Sequence, residues 1–245
     1  MEFEGRVAMI TGAAVGIGRA TAILMAERGA KLALIDVNGE KLEMLKQELS
    51  AYPTEVLTYV CDVSDESAVK AAISRAQEHF GAIDILVNNA ALWRVWQPFV
   101  EMPSETWRKY FDVNVMGTVY CTQAVLPRML ERGWGRIINI ASVAGVYGNA
   151  NMANYSATKG AVISFTKALA KEVAHEGVLV NAVSPGSVSP SEDADIDAYI
   201  PSDLAFMGRT GTDRENAELI CFLASDKASY ISGQNIQIDG CRKKQ

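Results

Sequence analysis

Seven short β-type runs, most of them apolar along their whole length, alternate with segments of helical periodicity, and this alternation constrains the fold more than any single motif. The runs are Arg6 to Thr11, Lys31 to Asp36, Glu55 to Cys61, Ile83 to Asn88, Gly135 to Ser142, Val178 to Ser184 and Asn235 to Asp239. A strand with one solvated face alternates polar and apolar residues; a strand covered on both sides does not. Between the runs, Val69, Ala72, Ile73, Ala76 and Phe80 mark one helical stripe, and Ala161, Val162, Phe165, Ala168 and Leu169 mark another. The order predicts an α/β fold: a doubly wound, parallel, seven-stranded sheet with helices on both faces.

A chain of 245 residues is long for one domain, but α/β units of about 250 residues form around one sheet, so residues 1–245 are expected to make a single domain. With 49% hydrophobic and 21% charged residues, disorder is not expected. The net charge of −6 leaves no basic footprint for nucleic acid or an anionic membrane, the only basic cluster being Arg242 to Lys244. No apolar segment approaches the ~20 residues that span a bilayer. The acidic start leads straight into a motif rather than a signal peptide, and Cys61, Cys121, Cys221 and Cys241 show no C-x-x-C spacing, which suits a reducing, cytoplasmic setting. One stretch breaks the pattern: Pro185 to Arg209, rich in Pro, Ser and acids, reads either as a lid over a ligand site or as a surface excursion.

Two places carry chemistry. Thr11 to Gly18, "TGAAVGIG", lies between the first strand and the first helix. Glycines there allow a tight turn and let backbone N–H groups approach a pyrophosphate at the helix N-terminus. The second strand ends at Asp36, eighteen residues beyond Gly18, where a carboxylate can accept hydrogen bonds from an adenosine ribose. Further on, "NYSATKG" sets Tyr155 four residues before Lys159. On a helix the two share a face, and a cation beside a phenol that ordinarily titrates near ~10 favours its ionised form. A lone Y-x-x-x-K arises easily by chance, so its weight depends on the rest of the chain. Other chemistries lack support: His79 and His175 have no H-E-x-x-H pattern and no cysteine partners, so no metal site is expected, and there is no G-x-S-x-G elbow.

Taken together, Thr11-Gly12-x-x-x-Gly16-x-Gly18, "NNAA" at Asn88 to Ala91, Asn114, Ser142, Tyr155-x-x-x-Lys159, Pro185-Gly186 and "ISGQNIQIDG" at Ile231 to Gly240 resemble the short-chain dehydrogenase/reductase family along nearly the whole chain. The resemblance implies a Rossmann fold and a catalytic tetrad of Asn114, Ser142, Tyr155 and Lys159. In it Tyr155 is the acid/base, and Lys159 lowers the Tyr155 pKa together with the oxidised nicotinamide and holds the nicotinamide ribose. Ser142 hydrogen-bonds the substrate oxygen, and Asn114 positions a water that links Lys159 to solvent. It implies cofactor contacts from Gly12, Val15, Gly16, Ile17, Gly18, Asp36, Val37, Asp62, Val63, Asn89, Ala90, Tyr155, Lys159, Pro185, Gly186 and Val188. The cofactor expected is NAD: Asp36 would repel the 2'-phosphate of NADP, and Val15 and Val37 stand where NADP-using members commonly carry Arg or Lys. The resemblance also implies a homotetramer built through the helix after Tyr155, the helix from about Ser104 to Glu131, and the C-terminal strand.

The chain departs from the family where glycine is usual at Ala91 and frequent at Cys241. The usual Thr after "PG" is replaced around Ser189 and Pro190, leaving Ser187 or Ser189 to meet the nicotinamide. The pocket walls would carry Leu92, Trp93, Trp96, Val143, Val146, Tyr147, Tyr199, Phe206 and Met207, with Trp93, Ser142, Tyr147 and Tyr155 touching a substrate that is an apolar, cyclic or aromatic secondary alcohol or ketone. Trp93 and Trp96 alternatively pack under the lid, and Arg94 either pairs a substrate carboxylate or is solvated. A 3-oxoacyl-[acyl-carrier-protein] reductase is the alternative, disfavoured by the lid acids Glu192, Asp193, Asp195 and Asp197, which would meet an acidic carrier. A dinucleotide-binding protein without catalysis is a third reading.

Overall fold

The first strand shows why the sheet is buried on both sides. In the computed structural model, which describes residues 1–188 and 195–243, Val7 and Met9 of β1 (Val7–Thr11) join the apolar layer on one face, and Ala8 and Ile10 the layer on the other. In β2 (Lys31–Asp36), Leu32 and Leu34 go one way, Ala33 and Ile35 the other. The pleat turns successive side chains to opposite faces, so an unbroken apolar run is what a doubly covered strand requires. With β3 (Val56–Val60), β4 (Ile85–Asn88), β5 (Gly135–Ile140), β6 (Val178–Pro185) and β7 (Asn235–Ile238), the sheet has seven strands in the order β3-β2-β1-β4-β5-β6-β7. Every neighbouring pair is parallel.

Helices α1 (Gly16–Glu27), α2 (Gly39–Leu49) and α8 (Asp213–Ala224) cover one face through Leu24, Leu42, Leu45, Leu49 and Ile220. Helices α3 (Glu66–Phe80), α5 (Gly117–Glu131) and α7 (Ala153–Val173) cover the other through Val69, Ile73, Val125, Met129 and Leu169. Two short helices, α4 (Ser104–Phe111) and α6 (Ala144–Tyr147), stand over the carboxyl ends of the strands. Among the described residues no helix is long and apolar enough to cross a membrane. Cys61, Cys121 and Cys221 are buried thiols and Cys241 is exposed.

Several boundaries differ from the sequence expectation, for physical reasons. Ser142 lies two residues beyond β5, yet the ladder fades gradually: Ala141 N still donates to Val183 O at 2.7 Å and Val143 N to Pro185 O at 3.1 Å. The expected helix from Ser104 to Glu131 is interrupted by a π turn, Asp112–Met116. That turn leads into Gly117, where a Cβ would lie 2.7 Å from Val63 Cγ2. On α7 the buried face runs through Val162, Ile163, Thr166, Leu169 and Ala170, while Ala168 is exposed and Ala161 and Phe165 are half-buried. Thr166 turns inward because its hydroxyl is fully paired, donating to Val162 O at 2.8 Å and accepting from Asn139 Nδ2 at 2.9 Å.

The described part of the expected lid is fastened at discrete points. Arg214 N donates to Ile196 O at 2.9 Å, and Phe206 N and Met207 N donate to Cys241 O and Gly240 O at 2.9 and 3.1 Å. Ser189, Pro190, Glu192, Asp193 and Lys244 lie outside the described residues. Cys241 holds a left-handed backbone at φ 59°, which explains the family's glycine there and costs a side-chain-bearing residue about 1–2 kcal/mol.

Candidate active site

The connections from β1 and β4 leave the middle of the sheet in opposite directions, and a crevice opens beyond their carboxyl ends, where open α/β sheets take ligands. On one side of it lies the glycine turn. Gly12 and Gly16 have φ of +61° and +55°; a Cβ on Gly12 would sit 2.8 Å from Ala90 Cα, and one on Gly18 only 2.1 Å from Gly12 O. Larger residues are thus excluded by backbone on both sides. Helices α2, α3 and α8 start with side-chain caps from Asn38, Asp65 and Thr212. Helix α1 starts after Val15, which makes no side-chain cap bond, and has no acid in its first turn. Its free N–H groups and positive dipole end suit a diphosphate.

Asp36 closes one end of this turn. Its Oδ2 accepts from Ala14 N at 3.0 Å and its Oδ1 from Asn38 N at 2.9 Å. The cap of α2 is Asn38, which accepts from Lys41 N at 3.0 Å, so Asp36 is not spent as a helix cap. Val37 is exposed beside it. From β4, Asn89 Nδ2 donates to Thr11 O at 3.1 Å and Gly12 O at 2.8 Å, while Asn89 N and Ala90 N donate to Thr11 Oγ1 at 3.0 and 3.1 Å. These bonds hold the β4 loop against the turn. Asp62 is exposed and receives Ser64 N at 2.9 Å, and Val63 is buried against Gly117. At the far side Gly186 N donates to Ile238 O at 2.9 Å, a Cβ on Gly186 would lie 2.8 Å from Asp239 Cα, and Val188 pairs with Gly211. This glycine cradle, uncapped helix and spare carboxylate fit a nicotinamide dinucleotide.

Ser142, Tyr155 and Lys159 converge where β5 meets α7. The Ser142 hydroxyl accepts from Ala144 N at 3.1 Å and hydrogen-bonds the Tyr155 phenol, so it is held by the turn that enters α6 and serves the site at once. Lys159 is 3% exposed; its Nζ lies 5.7 Å from the Tyr155 ring centroid and donates to Ile140 O at 2.6 Å. Desolvation lowers the Lys159 pKa to about 8. The Tyr155 residue is only half-buried, yet desolvation of its phenol pushes the pKa up to about 12, against the pull of the Ser142 hydrogen bond. The protein's own groups thus hold the phenol above its ordinary value, burial outweighing the Ser142 hydrogen bond, whereas the expected lowering by Lys159 acts together with an oxidised nicotinamide.

Asn114, 1% exposed in the π turn, accepts from Leu92 N at 2.7 Å and donates to Leu92 O and Thr158 Oγ1, both at 3.0 Å. Thr158 Oγ1 in turn donates to Tyr155 O at 2.8 Å. Asn114 thereby ties the β4 loop to the turn of α7 that carries Tyr155. Trp93 and Tyr147 are 44% and 42% exposed, and the Tyr147 hydroxyl donates to Gln237 Oε1 at 2.6 Å. The Arg94 guanidinium lies 5.2 Å from the Trp93 ring centroid. His79 pairs with Glu55 and His175 with Glu176, both away from the crevice.

Two residues went unread in the sequence. Tyr110, buried in α4, donates no visible periodic signal, but its oxygen accepts from Val95 N at 2.9 Å and its charge would disfavour a Tyr155 phenolate. Thr158 sits inside the quoted heptapeptide, and only its pairing with Asn114 reveals its use.

Residues 6–198 match the family model described as short chain dehydrogenase. A 3-oxoacyl-[acyl-carrier-protein] reductase FabG from Thermotoga maritima is 41% identical over 243 residues, covering 98% of this chain and 98% of the relative. A 2-dehydro-3-deoxy-L-rhamnonate dehydrogenase (NAD(+)) from a Sphingomonas species is 39% identical over 245 residues, covering 98% and 96%. Among solved structures, NAD+-bound xylitol dehydrogenase has a TM-score of 0.91 at 33% identity, covering 98% of this chain and 100% of that one. Levodione reductase has a TM-score of 0.90 at 35% identity, covering 97% of both. Beside the parallel sheet and glycine turn described above, these matches show that the chain belongs to the short-chain dehydrogenase family of oxidoreductases.

Proposed function

We propose that the chain interconverts a secondary alcohol and a ketone with NAD(H), Tyr155 moving the proton. The observation that carries this reading is the convergence of Ser142, Tyr155 and Lys159 beside an uncapped glycine turn. Bound NAD(H) supplies the hydride acceptor or donor. In oxidation, Tyr155 takes the hydroxyl proton as hydride leaves the carbinol carbon; in reduction it returns that proton to the oxygen. Ser142 donates a hydrogen bond to the substrate oxygen as negative charge develops there. Lys159 would hold the nicotinamide ribose, and Asn114 fixes the Leu92 backbone and, through Thr158, the helix turn below Tyr155. Gly12, Gly16, Gly18, Asp36, Asp62, Val63, Asn89, Ala90, Gly186 and Val188 would line the cofactor. The exposed rings of Trp93 and Tyr147 support an apolar, cyclic or aromatic substrate. The half-buried Ala161 and Phe165 and the exposed Ala168 on α7 support assembly of this reading's enzyme as a homotetramer.

The preference for NAD rests on Asp36. Its carboxylate stands at the end of the turn with neither Val15 nor Val37 able to pair a 2'-phosphate. Two of the similar proteins, the rhamnonate and xylitol dehydrogenases, carry NAD, which supports the same choice. Wild type is expected to favour NAD over NADP in kcat/KM by at least about tenfold, roughly 1.4 kcal/mol, and Asp36→Ala to lose most of that margin. Equal use of both cofactors by the wild type would remove the assignment.

A carrier-protein reductase remains the second reading, favoured by the 41% identity to the Thermotoga maritima protein over 98% of both chains. The acidic-lid objection to it is weakened by the structure: Asp197 accepts from Arg214 Nε at 2.9 and 3.0 Å, so its charge is not free. Reduction of a 3-oxoacyl carrier protein faster than of any small cyclic ketone would favour this second reading over the first.

A further inference from the structure

At the first turn of α8 two polar side chains are buried in a helix face that packs against α1. Asp213 is 4% and Asn216 1% exposed. Asn216 Nδ2 donates to Thr212 O at 2.8 Å, but its Oδ1 has no partner among the described residues. The Asp213 carboxyl is likewise without a donor among them; only the charge of Arg19 on α1 acts on it. Its position is pointed: a Cβ built on Gly16 would meet Asp213 Oδ1 at 3.7 Å and nothing else within 4 Å. The carboxyl thus stands directly behind the turn that would carry a diphosphate.

Among the described residues, the cations around this corner are already paired. Arg19 forks onto Glu48 of α2, with Nε–Oε2 at 3.0 Å and Nη2–Oε1 at 2.6 Å. On α8 itself Arg214 is held by Asp197, and Glu215 by Arg209 from the returning chain. Desolvation pushes the Asp213 pKa up to about 6, with Arg19 pulling the other way. The group is therefore neutral in mild acid and charged above it.

We propose that Asp213 sets the affinity of the glycine turn for the cofactor's diphosphate, opposing the bound anion when ionised and releasing that opposition when protonated. The inference rests on the reading that NAD(H) occupies the turn. The sign follows from charge alone: raising the pH through the carboxyl's titration adds a like charge behind the phosphates and weakens binding.

The β-methyl ester of ADP is the probe, since it carries the diphosphate without the nicotinamide ribose that Lys159 would hold, and has no phosphate proton that titrates between about pH 5 and pH 8. Calorimetric titration of the full chain should give a Kd that rises about fivefold between pH 5 and pH 8. Asp213→Asn should bind about fivefold more tightly than wild type at pH 8, with little pH dependence. Asp213→Ala serves as the second neutral variant if the first folds poorly by circular dichroism, and should behave alike. A wild-type slope that survives in a folded variant, or equal affinities at pH 8, would overturn the proposal. Failure of wild type to bind this ADP ester at any pH would overturn the cofactor reading along with it, whereas binding indifferent to Asp213 overturns this inference alone.

Discussion

Replacing Tyr155 by Phe is expected to lower kcat by about 10³-fold, roughly 4 kcal/mol of transition-state stabilisation, while NADH binding changes by less than about twofold. The ring stays and its packing with it; what leaves is the one proton that can be exchanged with the substrate oxygen, together with the Ser142 hydrogen bond. Steady-state kinetics in both directions and a fluorescence titration of NADH check the two halves. A variant retaining more than about a tenth of wild-type kcat would end the acid/base assignment, because only ~1.4 kcal/mol would then be at stake. The pH dependence follows from the raised phenol pKa. Reduction uses the neutral phenol, present well below about 12, and should hold steady through neutrality; oxidation needs the phenolate and should speed up as pH rises.

Replacing Lys159 by Met should cost activity and gain stability. Loss of the proposed ribose contact and of the cation 5.7 Å from the Tyr155 ring centroid is expected to lower kcat/KM by at least about 10²-fold. At the same time the variant removes an ammonium that is 3% exposed and answered by a single carbonyl, Ile140 O at 2.6 Å. A shift from 10.5 to about 8 means that folding disfavours the charged form. Below about 8 the cost is fully present; between about 8 and 10.5 it fades, because the unfolded chain still holds the proton that the folded one has released. After allowance for the carbonyl left unpaired, the gain at neutral pH should be about 1–2 kcal/mol, shrinking towards pH 10. Urea denaturation at two pH values measures it. A less stable variant at pH 7 would show that the buried ammonium contributes net stability instead.

The parts legible in the sequence are those where backbone geometry dictates residue type. Gly12 and Gly18 stand where a Cβ meets backbone at 2.8 and 2.1 Å, so no other residue fits and the motif announces itself. The strands were legible because a doubly covered sheet permits no polar alternation, as β1 and β2 show. What stayed hidden depends on pairings between distant residues. Thr166 looks like a solvent-facing position until Asn139 is placed opposite it. Tyr110 supports Val95, and Asn114 reaches Thr158 across 44 residues, with nothing in local periodicity to mark either bond. The π turn at Asp112–Met116 was invisible for the same reason, since the bonds its Asn114 makes to the Leu92 backbone lie far off in sequence. Helical spacing gives the distance of Lys159 from Tyr155 but not the burial of either group, which raises the phenol pKa and lowers that of the ammonium.

Transfer of a labelled hydride tests the central claim most directly. The protein is incubated with NAD and, in turn, cyclic, aromatic and polyol secondary alcohols deuterated at the carbinol carbon, and the cofactor is weighed by mass spectrometry. The account predicts NADH carrying one deuterium, in equal amount with the ketone, from an apolar cyclic or aromatic alcohol, and about 10³-fold less from Tyr155→Phe under the same conditions. Ketone formed with unlabelled cofactor, or equal labelling by the Tyr155→Phe variant, would contradict it.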